Sequence, residues 1–132
     1  MKFIFPGFDT LSGNKYLRMH WAVRKKLHDK YGLLIQSTYK SAQARSDDAH
    51  LNRFMCVSFV AYRKRLLDDD NLLNGLKPFR DCFVKMGFLR DDSPKWAKFF
   101  YGQHTLKESP FADAKGVPCC GLIVEISPQI EP

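Results

Sequence analysis

Nine consecutive residues, Phe54-Met55-Cys56-Val57-Ser58-Phe59-Val60-Ala61-Tyr62, form a run rich in β-branched and aromatic side chains that stops abruptly at Arg63-Lys64-Arg65. Such a run reads as a buried strand, and a buried strand demands a sheet around it and cover for its apolar faces. The flanking periodicities say what that cover is. From Leu17 to Arg45 the apolar spacing is helical, with Leu27, Tyr31, Leu34, Ile35 and Thr38 on one stripe and a bend expected near Gly32. From Asp70 to Met86 a second helix is expected, because Leu72, Leu73, Leu76, Phe79, Phe83 and Met86 recur three or four apart.

Gly75 and Pro78 lie inside that second helix. An interior proline costs about 3 kcal/mol and frees the carbonyl four residues back, here Asn74, so a kink or restart is expected between Gly75 and Pro78. Gly87 suits the C-terminal cap. Lys2 to Phe5, ended by Pro6-Gly7, and the stretches Lys95 to Gln103 and Gly121 to Ser127 are the other strands. Ser46-Asp47-Asp48 reads as a turn and 108–116 as a mobile loop. The order βαβαββ predicts a single α/β (α+β) domain over 1–132, one mixed sheet with two main helices packed on it.

A chain of 132 residues can bury about two thirds of its unfolded surface, so neither a disulfide nor a structural metal is required. Eleven Phe, five Tyr and two Trp exclude a disordered chain. No apolar run approaches the roughly 20 residues of a membrane span, and Phe3 to Phe5 is too short for a signal peptide, so a soluble, cytoplasmic protein without a membrane partner is expected. Cys56, Cys82, Cys119 and Cys120 have no zinc-ligand spacing, and His20, His28, His50 and His104 follow none either.

The net charge of +7 is unevenly spread. Residues 1–67 carry 13 Lys and Arg against 4 acids, whereas 68–132 carry 8 against 10. A basic half suits a polyanion, although a net charge of this size also occurs in proteins that are merely soluble.

Against that background Asp68-Asp69-Asp70-Asn71 follows the strand and Asp91-Asp92 follows the second helix. Residues i and i+2 share a side only in extended backbone, so Asp68 and Asp70 can converge at a strand exit. Two carboxylates about 4 Å apart repel by roughly 4 kcal/mol at an effective dielectric of 20, so a converging set protonates or holds a cation. Oxygen ligands select Mg²⁺ or Mn²⁺ over zinc. The plainer reading is that Asp70 caps the second helix and its neighbours are solvated. A calcium EF-hand is excluded, since counting from Asp68 the fifth, sixth and twelfth positions are Leu72, Leu73 and Phe79.

The ordered set Arg63-Lys64-Arg65, Asp68-x-Asp70-Asn71, Lys77, Asp81 and Lys85-Met86-Gly87-Phe88-Leu89-Arg90-Asp91-Asp92-Ser93 resembles the RusA family of Holliday-junction resolvases, particularly its phage and prophage members. A weaker likeness covers Asn14 to Lys30. The resemblance implies Asp68, Asp70 and Asp92 as metal-site aspartates and Lys77 as the catalytic lysine. The family's better-known member has its lysine one helical turn after the second aspartate, where this chain has Asn74, so three residues are added before Lys77.

The implied activity is Mg²⁺-dependent cleavage of four-way or otherwise branched DNA by a two-fold homodimer, with no nucleotide cofactor. Lys77 would meet charge developing on the phosphoryl oxygens. Arg18, Arg24, Lys25, Lys26, Arg63, Lys64 and Arg65 are the expected phosphate contacts, with His20 and Trp21 as further DNA contacts. Two other functions stand beside this one: a non-catalytic DNA junction-binding protein of the same fold, and a small phosphate-handling enzyme using the same metal.

Overall fold

The computed structural model describes residues 1–41 and 53–128. Its elements are β1 (Lys2–Pro6), α1 (Gly13–Leu17), α2 (Trp21–Ser41), β2 (Met55–Arg63), α3 (Asp69–Lys85), β3 (Ala97–Thr105), a 3-10 turn (Leu106–Glu108) and β4 (Gly121–Pro128). The four strands form one mixed sheet in the order β1-β4-β2-β3. β2 and β3 are parallel and joined through α3, while β4 runs antiparallel to both β1 and β2. The α+β class with a single mixed sheet is as the sequence predicts. No helix among the described residues is long and apolar enough to cross a membrane.

Register explains the core. Phe3 pairs with Val124, Val124 with Phe59, and Phe59 with Tyr101, so these side chains share one face of the sheet. Phe5, Val57, Ala61, Leu122 and Ile126 lie on the same face by alternation and are buried. The helices cover that face with Tyr31 and Ile35 of α2 and Leu72, Leu76, Phe79 and Phe83 of α3. The contact is largely ring against ring: Phe79 meets Phe5 and Tyr31 at 5.0 Å, and Phe83 meets Phe3 at 5.1 Å.

Several local expectations change. The long helix expected from Leu17 is α2 and begins at Trp21, with a short helix α1 before it that the sequence did not show, and the corner at Arg18 to His20 has a definite cause. Arg24 turns back to donate from Nη2 to the Leu17 carbonyl at 2.7 Å and from Nε to the Met19 carbonyl at 3.1 Å. The His20 carbonyl starts α2 by accepting from Val23 and Arg24, and its Nδ1 accepts from the Ala22 amide. α2 passes Gly32 as one helix. The turn expected at Ser46-Asp47-Asp48 lies outside the described residues.

α3 runs as one helix through Gly75 and Pro78, so the restart expected there does not occur. Gly75 has a packing reason instead: a Cβ there would sit 1.8 Å from the carbonyl oxygen of Leu11, so the backbone before α1 rests directly on α3. Gly87, at φ +82°, ends the helix in a Schellman motif, its amide bonding the Val84 carbonyl and that of Phe88 the Phe83 carbonyl. The loop expected over 108–116 carries contacts of its own. Ser109 donates to the Cys119 carbonyl, Asp113 accepts from the Lys115 and Val117 amides, and Phe111 is buried against Gly121.

Candidate functional site

Because β2 and β3 are parallel, α3 begins at their carboxyl ends, the end where open α/β sheets place ligands. The connection into α3 is fixed by Gln103 of β3, whose Oε1 accepts from the Leu67 amide at 2.9 Å while its Nε2 donates to the Leu67 carbonyl. Asp68 follows in extended conformation, φ −66° and ψ 163°, and Asp69 and Asp70 are already in the first helical turn. The cap is therefore Asp68, where the plainer sequence reading gave that part to Asp70. The expected extended pairing of Asp68 with Asp70 does not form, since only the first of the two is in extended backbone.

Asn71 completes this start. Asp68 Oδ1 accepts from the Asn71 amide at 2.8 Å and Oδ2 from Asn71 Nδ2 at 2.9 Å, while Asn71 Oδ1 accepts from the Asn14 amide of α1. Asn71 thus ties the cap of α3 to the start of α1, a role the sequence reading did not give it. The signal was present: an acid followed three residues later by a side chain able to reach back is a capping-box spacing. Three carboxylates at a helix N-terminus also match the positive end of its macrodipole.

Asp92 sits elsewhere. Its Oδ2 is 3.4 Å from Nη2 of Arg80, ten residues and about 15 Å of helical rise beyond Asp70. Arg80 is held on three sides, with Nη1 donating to the Tyr101 hydroxyl at 3.0 Å and the guanidinium 4.7 Å over the Phe99 ring. Its side chain is only 14% exposed, and Nε is buried with no hydrogen-bond partner. Neither Arg80 nor Tyr101 was singled out from the sequence, because their meeting with Asp92 depends on the reversal at Gly87 and on β3 lying beside α3.

Asp81, next to Arg80 in sequence, has its carboxyl pushed above the ordinary range, first by burial and further by Asp92, with Arg80, Lys77 and His28 opposing. Burial likewise raises Tyr101 against the pull of Arg80. Lys77 is exposed, four residues before Asp81 and seven after Asp70, so Asp70, Asn74, Lys77 and Asp81 share one helical stripe. Asn74 packs at Gly13 of α1.

The acids thus fall into two groups along α3, a capped triplet at its start and Asp81 with Asp92 around Arg80 near its end. Among the described residues no three His, Cys, Asp or Glu side chains are gathered to hold a metal ion, so Asp68, Asp70 and Asp92 do not converge within one chain. The first group offers oxygens beside solvent, and the second holds two carboxylates and a guanidinium in a half-buried setting suited to proton exchange.

The basic residues divide as well. Arg24 is engaged by carbonyls and lies 5.0 Å over the Tyr16 ring. Arg63 donates from Nε to the Thr10 carbonyl at 2.9 Å and from Nη1 to the Arg65 carbonyl, fixing the end of β2. Arg18, Lys25, Lys26, Lys64 and Arg65 are exposed. Trp21 is 72% exposed beside His20, while His28 bonds the Tyr16 hydroxyl at 2.9 Å. In comparisons with known proteins, no family model, no curated protein and no solved structure matches this chain.

Proposed function

We propose that this chain is a structure-selective endodeoxyribonuclease that hydrolyses phosphodiesters in branched DNA such as four-way junctions, with Mg²⁺ as the metal and Mn²⁺ as a substitute. The observation that carries the reading is the stripe of α3 on which the exposed Asp70 and Lys77 and the half-buried Asp81 succeed one another, with Asp68 at one end and Asp92 drawn in through Arg80 at the other. It agrees with the resemblance to the RusA resolvases in residue type and order.

Lys64 and Arg65 flank the start of the stripe, and with Arg18, Lys25 and Lys26 they supply sequence-independent attraction to phosphates. Lys77 is the cation within the stripe itself and would meet charge on a phosphoryl oxygen. Asp81, its carboxyl pushed up by burial, is the carboxyl of the stripe best suited to hold a proton. Mg²⁺, when bound, would supply an activated water and neutralise phosphate charge.

The oxygen donors at the start of α3 suit such a hard ion by chemistry. The three-aspartate set does not fit one chain as a cage, because Asp68 is engaged by Asn71 and Asp92 by Arg80. A two-fold homodimer would match the near-symmetry of a four-way junction.

The same engagement of Asp68 favours a second reading, a non-catalytic junction-binding protein of the same fold in which the acids are structural. Incubating the chain with labelled four-way, flap and duplex DNA, with and without Mg²⁺, separates the two. The nuclease reading expects Mg²⁺-dependent cuts in the branched substrates and loss of cutting in Asp70→Asn with binding kept or strengthened, since a phosphate-repelling charge is removed. Tight junction binding without cleavage supports the second reading, and near wild-type cleavage by Asp70→Asn overturns the assignment of that residue.

A further inference from the structure

The hydrogen-bond parity of β1 leaves one side of the strand unused. Met1 donates from its amino group to the Ile126 carbonyl at 2.6 Å and accepts from the Ile126 amide at 2.8 Å, and the Gly7 amide donates to the Cys120 carbonyl at 2.9 Å. By alternation Met1, Phe3, Phe5 and Gly7 bond inward to β4, so the amides and carbonyls of Lys2 and Ile4 and the carbonyl of Pro6 point outward. β1 is an edge of the sheet, and no strand lies on that edge among the described residues. A cavity of about 390 Å³ opens along it, between β1 and α2. Phe5, Phe8, Leu27 and Leu34 line the cavity, and so does Ile4, which is 45% exposed and belongs to the opposite face of the sheet. Side chains from both faces of β1 share one cavity because it wraps round the edge of the strand.

We propose that this edge takes an extended acidic peptide of a partner protein, which adds antiparallel to β1 as a further strand and buries one apolar side chain in the cavity. The free ladder groups fix the conformation of the occupant, because only an extended chain meets donors and acceptors that recur at every second residue. Charge fixes its sign. Lys30 of α2 lines the cavity, and over its first ten residues α2 carries Arg24, Lys25, Lys26 and Lys30 against Asp29 alone. Asp9, the acid at the cavity, lies 3.8 Å from Arg63. Edge-to-edge pairing of two copies would set two such positive helices side by side, and the backbone of a DNA strand has no amide to continue the ladder.

Parity also sets the register. Residues opposite one another across a ladder share a face, so the peptide residue opposite Phe5 turns toward the helices and enters the cavity. Its neighbours lie opposite Ile4 and Pro6. The one opposite Ile4 exchanges two hydrogen bonds with it, whereas the one opposite Pro6 donates only, since proline has no amide hydrogen to give. The residue in the cavity bonds nothing on β1 and is held by burial.

Fluorescence anisotropy of a labelled peptide, Thr-Glu-Val-Phe-Val-Glu-Thr, titrated with the full chain without DNA or metal, tests this apart from the nuclease reading. The central Phe is the side chain for the cavity, the two Glu fall on its side of the strand toward Lys30, and the second Val lies opposite Ile4. Saturable single-site binding is expected. Methylating the amide nitrogen of the second Val should weaken it about tenfold or more, because a ladder bond is lost, while the same change at the Phe should alter it no more than about twofold. Lys30→Glu, at an exposed position, should weaken this peptide about fivefold or more and strengthen a counterpart carrying Lys in place of both Glu. Absence of binding, affinity indifferent to which amide is methylated or to Lys30→Glu, or binding seen only as a dimer of the chain dissociates would overturn the proposal.

Discussion

Replacing Gly75 by alanine separates two accounts of α3 by the sign of the effect. If Gly75 were a weak point that lets the helix bend, alanine would stabilise by about 1 kcal/mol through helix propensity. The packing predicts the reverse. The new Cβ would lie 1.8 Å from the Leu11 carbonyl oxygen and 2.9 Å from its carbon, whereas ordinary contact begins at 3.4 Å. Both of those atoms are backbone and cannot rotate aside, so the segment before α1 must lift by about 1.5 Å, an overpacking that costs roughly 3 kcal/mol. After the propensity gain the net loss is about 2 kcal/mol, or about 7 °C in Tm for a domain of this size. Gly32→Ala is the control, because nothing lies within 4 Å of its Cβ and α2 is helical there, so it should gain up to about 1 kcal/mol. Urea denaturation followed by circular dichroism measures both. A Gly75→Ala protein as stable as the parent would refute the close approach of Leu11 to α3.

Two further outcomes follow from the charges on α2 and α3. Asp81 has a raised carboxyl pKa in the folded chain, so stability should fall as pH rises from the unfolded carboxylate value through the folded one, then level off. Asp81→Asn should accordingly be more stable than the parent at pH 7, with the gain vanishing in acid, and urea midpoints measured across that range would show it. Lys25→Glu with Lys26→Glu should flatten the salt dependence of junction binding by up to about 0.9 per lost phosphate contact, whereas Lys77→Ala should slow cleavage of bound junction with little change in slope. Arg24 is unsuited to that test, because its guanidinium holds the Leu17 and Met19 carbonyls and its loss would disturb the corner between α1 and α2.

What the sequence made legible was periodicity. β2 and β4 were readable to within a residue or so and α3 nearly so, because an apolar repeat records which face is buried regardless of what covers it. Where a tertiary contact overrides the local pattern, the reading went astray. The helix expected from Leu17 begins only at Trp21, and the return of Arg24 onto the Leu17 and Met19 carbonyls shows why the chain turns a corner first. Pro78 and Gly75 carry the local marks of a helix restart, yet Pro78 is buried within a continuous helix and Gly75 is the seat of another backbone segment.

The candidate site divides along the same line. The spacing of Asp68, Asp70 and Asp92 is a property of the chain, and residue order cannot say whether three side chains meet. Asp68 lies in the cap of α3, while Asp92 lies beyond a helix of 17 residues, about 25 Å long, and a glycine-dependent reversal. Whether a carboxylate past that reversal returns to the start of the helix or stops partway depends on what it meets first. Here it meets Arg80, already fixed by Tyr101 and the Phe99 ring, which stops Asp92 beside Asp81 rather than beside Asp70. Arg80 is therefore the residue that decides how the acids of α3 are grouped, and its position follows from the parallel pairing of β2 with β3, which brings Phe99 and Tyr101 beneath the helix.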